Sequence, residues 1–462
     1  MKNFDAKTLK KLVIDNGYCI GCGNCATLKN SDFRMSLNDF GQFVPILNDK
    51  KKISKIDYSR ICPFSGECHN EDEIGINLFS RNCEHENNVG FYLACYAGFV
   101  KQKGYRENGS SGGIGTWLLT ELMRKRLIDY VINVRKTDNR NSSYPVIFEY
   151  SISNSIRDIL CGAKSRYYPI QLSSVLKIVR AKKGRYAIIG IPCFIKAVRL
   201  LSENDNLIKK RIKYCIGLIC GHLKSSRFAD MIAWQMGIRP GNLTDINFRK
   251  KYPGRNADDY GIEITGFIDG HIVTKSSPNK ELFGMDWGLG FFKYEACDYC
   301  DDVFAETADL SIGDAWLPEY VNDYKGTNII VARNPELQNI LLSAVKEKRI
   351  YIKNIPVETA VKSQLAGLKH RRDGLAYRIW LKQKKGLWFP RKRVRPNYDH
   401  LSLVYRCIFS LRTKISKRSH LAFQKANYRS NIKYFVKNIK PLLIQYKLLY
   451  LIQKIKQKAR LK

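Results

Sequence analysis

Three cysteines near the N-terminus follow one another at two-residue intervals on a segment that contains Gly21 and Gly23, namely Cys19, Cys22 and Cys25. Three thiolates on such a tight turn can bind three irons of a 4Fe-4S cube, and the fourth iron then needs a more distant cysteine. Cys62 fits that place because it precedes a proline, as the fourth ligand does in bacterial ferredoxins. The pattern predicts one 4Fe-4S cluster, with Cys68 as the alternative fourth ligand.

Zinc is the main alternative for these residues, because it also binds thiolates. Three equally spaced cysteines suit tetrahedral zinc less well than C-x2-C pairs do. A radical-generating cluster would need C-x3-C-x2-C, which the sequence lacks. No second C-x2-C-x2-C precedes Cys62, so this region predicts a single cluster.

Composition restricts the class of protein. Fourteen cysteines among 462 residues are too few for a disulfide scaffold, and the N-terminus has no apolar signal core. No stretch reaches the roughly 18 apolar residues of a membrane-spanning helix. We therefore expect a cytoplasmic protein of two or three domains. The absence of G-x4-G-K-[ST] argues against a P-loop NTPase.

Positive charge is concentrated at the C-terminal end. From Trp380 to Lys462 there are 23 lysines and arginines against one acid, Asp399. Apolar residues recur there at helical intervals between Ile432 and Tyr446, with lysines between them. Such a basic amphipathic segment suits an anionic membrane surface or the acidic groove of a partner protein. Packing on the chain's own core is the alternative, and nucleic-acid binding fits least well.

A Ser/Gly loop, Ser110 to Gly113, precedes a segment with helical apolar periodicity. A loop of this kind at a helix N-terminus offers free N–H groups to a phosphate, although many glycine-rich caps bind nothing. Further along, Cys193 and Cys220 follow two apolar strand segments, and Cys297 and Cys300 form a C-x2-C pair. These four thiols are either a second cluster or a mixture of buried thiols and a zinc clip.

Taken in order along the chain, these motifs resemble those of the family of coenzyme F420 hydrogenase/dehydrogenase beta subunits. The resemblance covers roughly residues 15 to 335. It is carried by C-x2-C-x2-C, Ser110–Gly113, Gly162–Tyr167, Gly190–Cys193, Cys220, Phe248–Lys250, Cys297, Cys300, Asp309–Trp316 and Lys325–Asn328. One departure is the order Gly221-His222, since the family commonly has His-Gly after this cysteine.

The resemblance implies an α+β or α/β fold in which a ferredoxin-like 4Fe-4S segment is followed by an α/β flavin-binding core and a basic helical tail. It implies FAD or another flavin, and a second cluster on the four core cysteines. The expected domains are a ferredoxin-like domain (1–85), an N-terminal-type domain of the family (86–175), a C-terminal-type domain (176–345) and the basic helical tail (346–462).

Candidate cofactor-binding residues come from the matching motifs: Ser110, Ser111, Gly112, Gly113, Lys164, Arg166, Asp314 and Lys325. His222, Lys164 and Arg166 are the candidates for a catalytic role. Each also has a plainer explanation: His222 can satisfy a loop, the two cations can form surface ion pairs, and Asp314 can form an ordinary turn.

The prediction is an iron-sulfur flavoprotein oxidoreductase that transfers electrons between a ferredoxin-like or deazaflavin partner and an unknown substrate. The family's uncharacterised bacterial relatives include some encoded among polysaccharide-synthesis genes, which suggests that setting. The alternatives are a non-catalytic electron-relay subunit and a metal-stapled nucleic-acid-binding protein. The basic tail predicts a peripheral position on the inner membrane face.

Overall fold

The computed structural model describes residues 4–49, 53–137 and 145–460. The strands are β1 (Phe33–Leu37), β2 (Phe43–Leu47), β3 (Glu84–Glu86), β4 (Gly90–Tyr92), β5 (Ala94–Val100), β6 (Tyr130–Lys136), β7 (Phe148–Ser153), β8 (Tyr186–Gly190), β9 (Ile212–Leu218), β10 (Leu243–Lys250), β11 (Gly261–Ile268), β12 (His271–Pro278), β13 (Leu310–Asp314), β14 (Asn328–Ala332) and β15 (Ile350–Ile355).

The helices are α1 (Ala6–Leu9), α2 (Glu71–Phe79), α3 (Tyr105–Asn108), α4 (Ile114–Arg124), α5 (Ile156–Cys161), α6 (Ser173–Ala181), α7 (Pro192–Asn204), α8 (Asn206–Arg211), α9 (Ser226–Gln235), α10 (Pro318–Val321), α11 (Pro335–Lys346), α12 (Val357–Lys362), α13 (Leu365–Arg371), α14 (Asp373–Lys384), α15 (Leu403–Tyr428) and α16 (Ile432–Arg460). Short 3-10 turns occur at Cys25–Thr27, Asn279–Glu281, Trp287–Leu289 and Glu295–Tyr299, and a π-helical turn at Lys10–Ile14.

An eight-stranded mixed sheet forms the centre of the molecule, in the order β15-β5-β14-β13-β9-β8-β6-β7. The four strands β13, β9, β8 and β6 pair in parallel, and the flanking strands pair antiparallel. Ile188 and Ile216 in the parallel part are fully buried, which explains the continuous apolar runs in the sequence. The predicted α/β core is confirmed. Because ligands bind beyond the carboxyl ends of such strands, this edge positions the candidate site.

The N-terminal segment packs on the helix that follows β8. Its strands β1 and β2 form an antiparallel hairpin, and the cysteine-rich loop precedes β1. Within that loop, the buried Asn24 side-chain amide donates to the carbonyl of Ala197 in α7 at 2.6 Å and to that of Ile61 at 3.1 Å. Two hydrogen bonds from one buried amide therefore fix the loop to α7 and to the segment that carries Cys62.

Most of the C-terminal segment is helical, as predicted, but the segment also supplies a strand and is built into the core. It begins with β15, which pairs with β5 at one edge of the large sheet. Helices α15 and α16 form a hairpin, and Phe435 and Ile439 of α16 are fully buried. The Phe435 ring stacks on that of Phe292 with centroids 5.7 Å apart. The apolar periodicity of this segment therefore reflects packing on the chain itself.

A buried ionic network joins three parts of the chain. Glu71 of α2 pairs with Lys196 of α7 at 3.1 Å, and both side chains are 5% exposed. Asp301 pairs with Lys392 and Arg393, which come from the C-terminal segment. Buried charges must be paired to offset their desolvation, so this network fixes how the N-terminal segment, the core and the C-terminal segment meet. No helix in the described ranges is long and apolar enough to cross a membrane.

Candidate functional site

The four N-terminal cysteines predicted to bind a cluster lie together. The thiols of Cys22, Cys19 and Cys62 are close enough to Cys25 to add to the effect of burial, and all four pKa values are raised. Cys68 lies near Cys62 and contributes to its raised pKa. We name Cys19, Cys22, Cys25 and Cys62 the outer quartet. Burial keeps these thiols neutral in the free protein, and binding of a metal would deprotonate them.

Glycine at position 21 is required by the shape of this loop. Gly21 has a φ of +67°, and a Cβ at this position would lie 2.4 Å from the carbonyl oxygen of Phe43. A side chain would therefore be strained in its backbone and would collide with β2. The glycine lets the cysteine loop turn tightly against the hairpin, which brings the three thiols together.

The four core cysteines also meet. Cys193 lies in the first turn of α7 after β8, Cys220 follows β9, and Cys297 and Cys300 lie on and after the last 3-10 turn. All four line one small cavity, and we name them the inner quartet. Burial raises the pKa of each, to about 12 for Cys220 and about 11 for Cys297. Cys215, by contrast, is fully buried within β9 and does not line this cavity.

An arginine outside the matched motifs lies among the inner thiols. Arg371, at the end of α13, is 2% exposed and donates to the Cys300 sulfur at 2.6 Å. It also donates to the carbonyls of Cys220 and Gly221. Burial lowers the pKa of Arg371, but attraction to the thiolate form of the four cysteines raises it above the usual value. Sequence reasoning missed Arg371 because it belongs to a cation-rich segment with no motif of its own.

The two quartets are neighbours. Ile20, which lies between Cys19 and Cys22, and Phe64, which lies two residues after Cys62, both line the cavity of the inner quartet. Their side chains are 3% exposed. Buried apolar side chains therefore lie between the two thiol groups.

A large cavity of about 1570 Å³ begins at the inner quartet, since Cys220 lines both cavities. It extends past the carboxyl ends of the parallel strands to the C-terminal hairpin. Six of the predicted cofactor-binding residues line it: Ser110, Ser111, Gly113, Lys164, Arg166 and Asp314. His222 lines it as well. The structure thus gathers motifs that are far apart in sequence around one space.

The Ser/Gly loop is held from several sides. The hydroxyl of Ser110 accepts from the N–H of Ser165 at 2.7 Å, and that of Ser111 donates to the carbonyl of Thr327 at 2.9 Å. A Cβ on Gly112 would lie 2.6 Å from the carbonyl oxygen of Gly98. The loop is packed against β5 here, so only glycine fits. Gly113 has a φ of +82° and caps α4, as the loop-to-helix pattern predicted.

Asp314 and Lys325 have structural partners at this site. The Asp314 carboxylate accepts hydrogen bonds from both terminal nitrogens of Arg249, at 2.9 and 3.0 Å. Arg249 also donates to the Ser110 carbonyl. The carbonyl of Lys325 accepts from the ammonium of Lys251, which also donates to the Ser111 carbonyl at 2.9 Å. Both residues therefore brace the Ser/Gly loop. Lys325 is not among the residues that line the large cavity.

Lys164 and Arg166 bring positive charge to the cavity wall. Lys164 donates to the Arg249 carbonyl at 3.1 Å, and burial, with Arg166 and Arg249 nearby, lowers its pKa to about 8. The Arg166 guanidinium lies 4.6 Å from the centre of the Phe148 ring. Its Nε is buried and has no hydrogen-bond partner among the described residues. A buried donor without a partner is costly, and an anionic group in the cavity would satisfy it.

His222 packs edge-on against Trp287, with ring centres 4.5 Å apart. Its pKa lies well below the usual value because of burial and of the nearby Lys224, Lys293 and Arg371. Its Nε2 is buried and unpartnered within the described ranges. His222 is therefore a neutral imidazole at the cavity wall.

The fit of these residues to clusters rests on the donor set. Each quartet provides four thiols, and apolar side chains surround both. No three His, Cys, Asp or Glu side chains in the described ranges are placed to hold a single metal ion. A 4Fe-4S cube needs one thiolate at each of its four irons. The four inner thiols line one cavity, so they offer that number of ligands around a single space.

Comparison with known proteins agrees with the motifs. Two family models, for the N-terminal and the C-terminal part of "Coenzyme F420 hydrogenase/dehydrogenase, beta subunit", match residues 95–177 and 183–358 respectively. Together the two matches span more than half of the chain. The chain belongs to this family of beta subunits.

Individual relatives are distant. An uncharacterized protein of Methanocaldococcus jannaschii is 25% identical over 276 residues, which are 58% of this chain and 67% of that protein. A subunit of the F(420)H(2) dehydrogenase of Methanosarcina mazei is 22% identical, over 66% of this chain and 78% of its own.

The coenzyme F420-dependent sulfite reductase of Methanocaldococcus jannaschii is 20% identical over 84% of this chain, but the match spans only 59% of that protein. A solved chain of the F420-reducing NiFe hydrogenase complex of Methanosarcina barkeri aligns with 69% of this chain at 17% identity and a TM-score of 0.48, and is itself covered completely.

Proposed function

We propose that this chain is an iron-sulfur flavoprotein oxidoreductase. The observation that carries the proposal is the order of three neighbouring sites: the outer quartet, the inner quartet and the large cavity. Ile20 and Phe64 connect the first two, and Cys220 connects the last two. Named relatives are F420-linked oxidoreductases or their subunits, which supports the same class of activity.

The chain's residues suit these cofactors. The outer and inner quartets would each hold a 4Fe-4S cluster, and the Ser/Gly loop, Lys164 and Arg166 would hold the phosphates of FAD. When bound, the clusters would carry single electrons and the flavin would exchange single electrons for pairs. Arg371 offsets negative charge at the inner thiols, and the apolar surroundings exclude water. His222, as a neutral imidazole, is placed to move a proton at the cavity wall.

The electron donor we propose is a ferredoxin-like or deazaflavin partner that meets the chain near the outer quartet. The substrate would occupy the part of the large cavity that flavin leaves free. A cytoplasmic location and a role in polysaccharide biosynthesis belong to the same proposal.

The proposal is tested by anaerobic purification with measurement of iron, acid-labile sulfide and released flavin. We expect about eight irons, eight sulfides and one flavin per chain, because each cube carries four of each ion. About four irons without flavin would contradict the proposal in favour of a relay subunit. Zinc without sulfide would contradict it altogether.

A further inference from the structure

The second half of α16 leaves a stripe of aliphatic side chains in solvent. Its members recur at steps of four, three, one and three residues, so they share one side of the helix. They are between 43% and 59% exposed: Ile444, Leu448, Leu451, Ile452 and Ile455. The opposite side of α16, with Phe435, Ile439 and Tyr446, is buried against the core. A contiguous apolar stripe of this kind marks a surface that meets an apolar phase or a partner.

Cations border this stripe. Lys440, Lys447, Lys454 and Lys456 are exposed, and Asp399 is the one acid from Trp380 to Lys462. A second copy of this face would bring lysines against lysines. An aliphatic stripe edged by lysines instead matches the interface of an anionic bilayer, where the stripe enters the headgroup region and the ammonium groups meet lipid phosphates.

The same helix forms one wall of the large cavity. The residues that line it recur at steps of three, one, three, one and three residues, so they share the side next to the stripe: Leu443, Tyr446, Lys447, Tyr450, Leu451 and Lys454. Leu451 belongs to both sides. The cavity therefore opens directly beside the aliphatic stripe.

A third cation completes this end of the cavity. Arg412 of α15 donates to the hydroxyls of Tyr446 and Tyr450, at 3.1 and 2.9 Å from Nη2. The tyrosines hold the guanidinium toward the cavity that Arg412, Lys447 and Lys454 line. Asp286, on the facing loop, is the acid among the residues that line this end. One arginine and two lysines line this end of the cavity together with one acid, so its lining carries a net positive charge that suits phosphate.

We propose that this end of the cavity admits a membrane-borne, phosphate-bearing substrate. The aliphatic stripe of α16 rests on an anionic bilayer, and Arg412, Lys447 and Lys454 receive the phosphate of an amphiphile whose apolar chain remains in the membrane. The inference rests on the proposed function, because it names the substrate class of the same cavity. It assigns that specificity to the C-terminal hairpin, which lies outside the residues matched to the family.

The test is sedimentation of the full chain, loaded with its cofactors, with phosphatidylcholine vesicles that either contain or lack phosphatidic acid. We expect binding only to vesicles with phosphatidic acid. The pair Lys447→Gln and Lys454→Gln should weaken it at least about tenfold. The matched control, Lys414→Gln with Lys425→Gln, removes two exposed cations from α15 and should leave the binding unchanged.

The stripe is tested in the same way with Leu448→Gln and Ile455→Gln, for which we again expect at least about a tenfold loss. Its control is Leu207→Gln with Ile272→Gln, which changes two exposed aliphatic residues elsewhere. Equal losses in test and control variants, or binding that ignores phosphatidic acid, would overturn the inference. Binding of inorganic pyrophosphate without vesicle binding would also overturn it, since the substrate would then be soluble.

Iron, sulfide and flavin are measured in every variant. Missing cofactors in the unmodified chain would contradict the proposed function itself. Normal cofactor content without vesicle binding would contradict only the inference about the substrate.

Discussion

The outer and inner quartets each bring four thiols together, but they do so in different ways. The outer quartet comes from one loop and one nearby cysteine, Cys62, and Gly21 sets its shape. The inner quartet is collected from residues 193 to 300 by two strand ends and a turn, with Arg371 added from the C-terminal segment. A local motif can therefore form the outer site, whereas the inner site exists only once the large sheet has formed.

Removal of one thiol should separate the two quartets most sharply. Cys193→Ala should lower the iron content by about four per chain and leave the outer quartet loaded, and Cys25→Ala should do the reverse. Chemical iron analysis and electron paramagnetic resonance of the reduced protein measure both effects.

Cys215→Ala is the matched control, because Cys215 is buried in β9 and belongs to neither quartet. It should keep all of the iron. Unchanged iron in the Cys193 variant would show that the inner thiols bind no cluster.

Loss of the buried Glu71–Lys196 pair, which links α2 of the N-terminal segment to α7 of the core, should have the next largest effect. Glu71→Gln leaves the Lys196 ammonium buried without its partner, so we expect the free energy of unfolding to fall by about 3 to 5 kcal/mol. Chemical denaturation followed by circular dichroism measures this loss.

Asp15→Asn is the control, since the Lys10–Asp15 pair is about half exposed on both sides. Its cost should stay below about 1 kcal/mol. Similar losses in both variants would mean that the buried pair does not hold the N-terminal segment to α7.

Replacement of Arg371 should change the reduction potential of a cluster at the inner quartet and not of one at the outer quartet. The positive charge of Arg371 favours the more negative, reduced form of a cluster at the inner thiols, so Arg371→Gln should lower that reduction potential. Each ~1.4 kcal/mol by which the charge stabilises the reduced cluster corresponds to about 60 mV of reduction potential for a one-electron couple. Redox titration should show no shift at the outer quartet, and Arg371→Lys should restore most of the inner potential. Equal shifts at both sites would indicate a general structural change.

The smallest expected effect concerns pH at the cavity beyond the inner quartet. Lys164 has a pKa lowered to about 8, so it is protonated below this pH and loses its charge above it. Affinity for flavin phosphates should therefore fall severalfold as the pH rises through about 8. Fluorescence titration of the flavin-free protein with FAD measures it.

Lys164→Met should bind FAD more weakly below pH 8 and show less pH dependence. Lys280→Met is the control, because Lys280 is an exposed lysine that also lines the cavity. A pH dependence that persists in the Lys164 variant would assign it to another group.

Features that depend on local spacing could be predicted from the sequence. The C-x2-C-x2-C run, the Ser/Gly loop before α4 and the apolar strands β8 and β9 could all be read from it, because each pattern lies within a few residues. The helical character of the C-terminal segment could also be predicted, because its apolar residues recur at helical intervals.

Tertiary structure alone decided which distant residues meet. Arg371 at the inner thiols, the Glu71–Lys196 pair and the hairpin wall of the cavity carry no sequence pattern, since each depends on contacts between elements far apart in the chain. The basic segment was ambiguous for the same reason: its period predicts an apolar face, but only packing shows what covers that face. In α16 the core covers one side, the cavity adjoins a second, and the aliphatic stripe faces solvent.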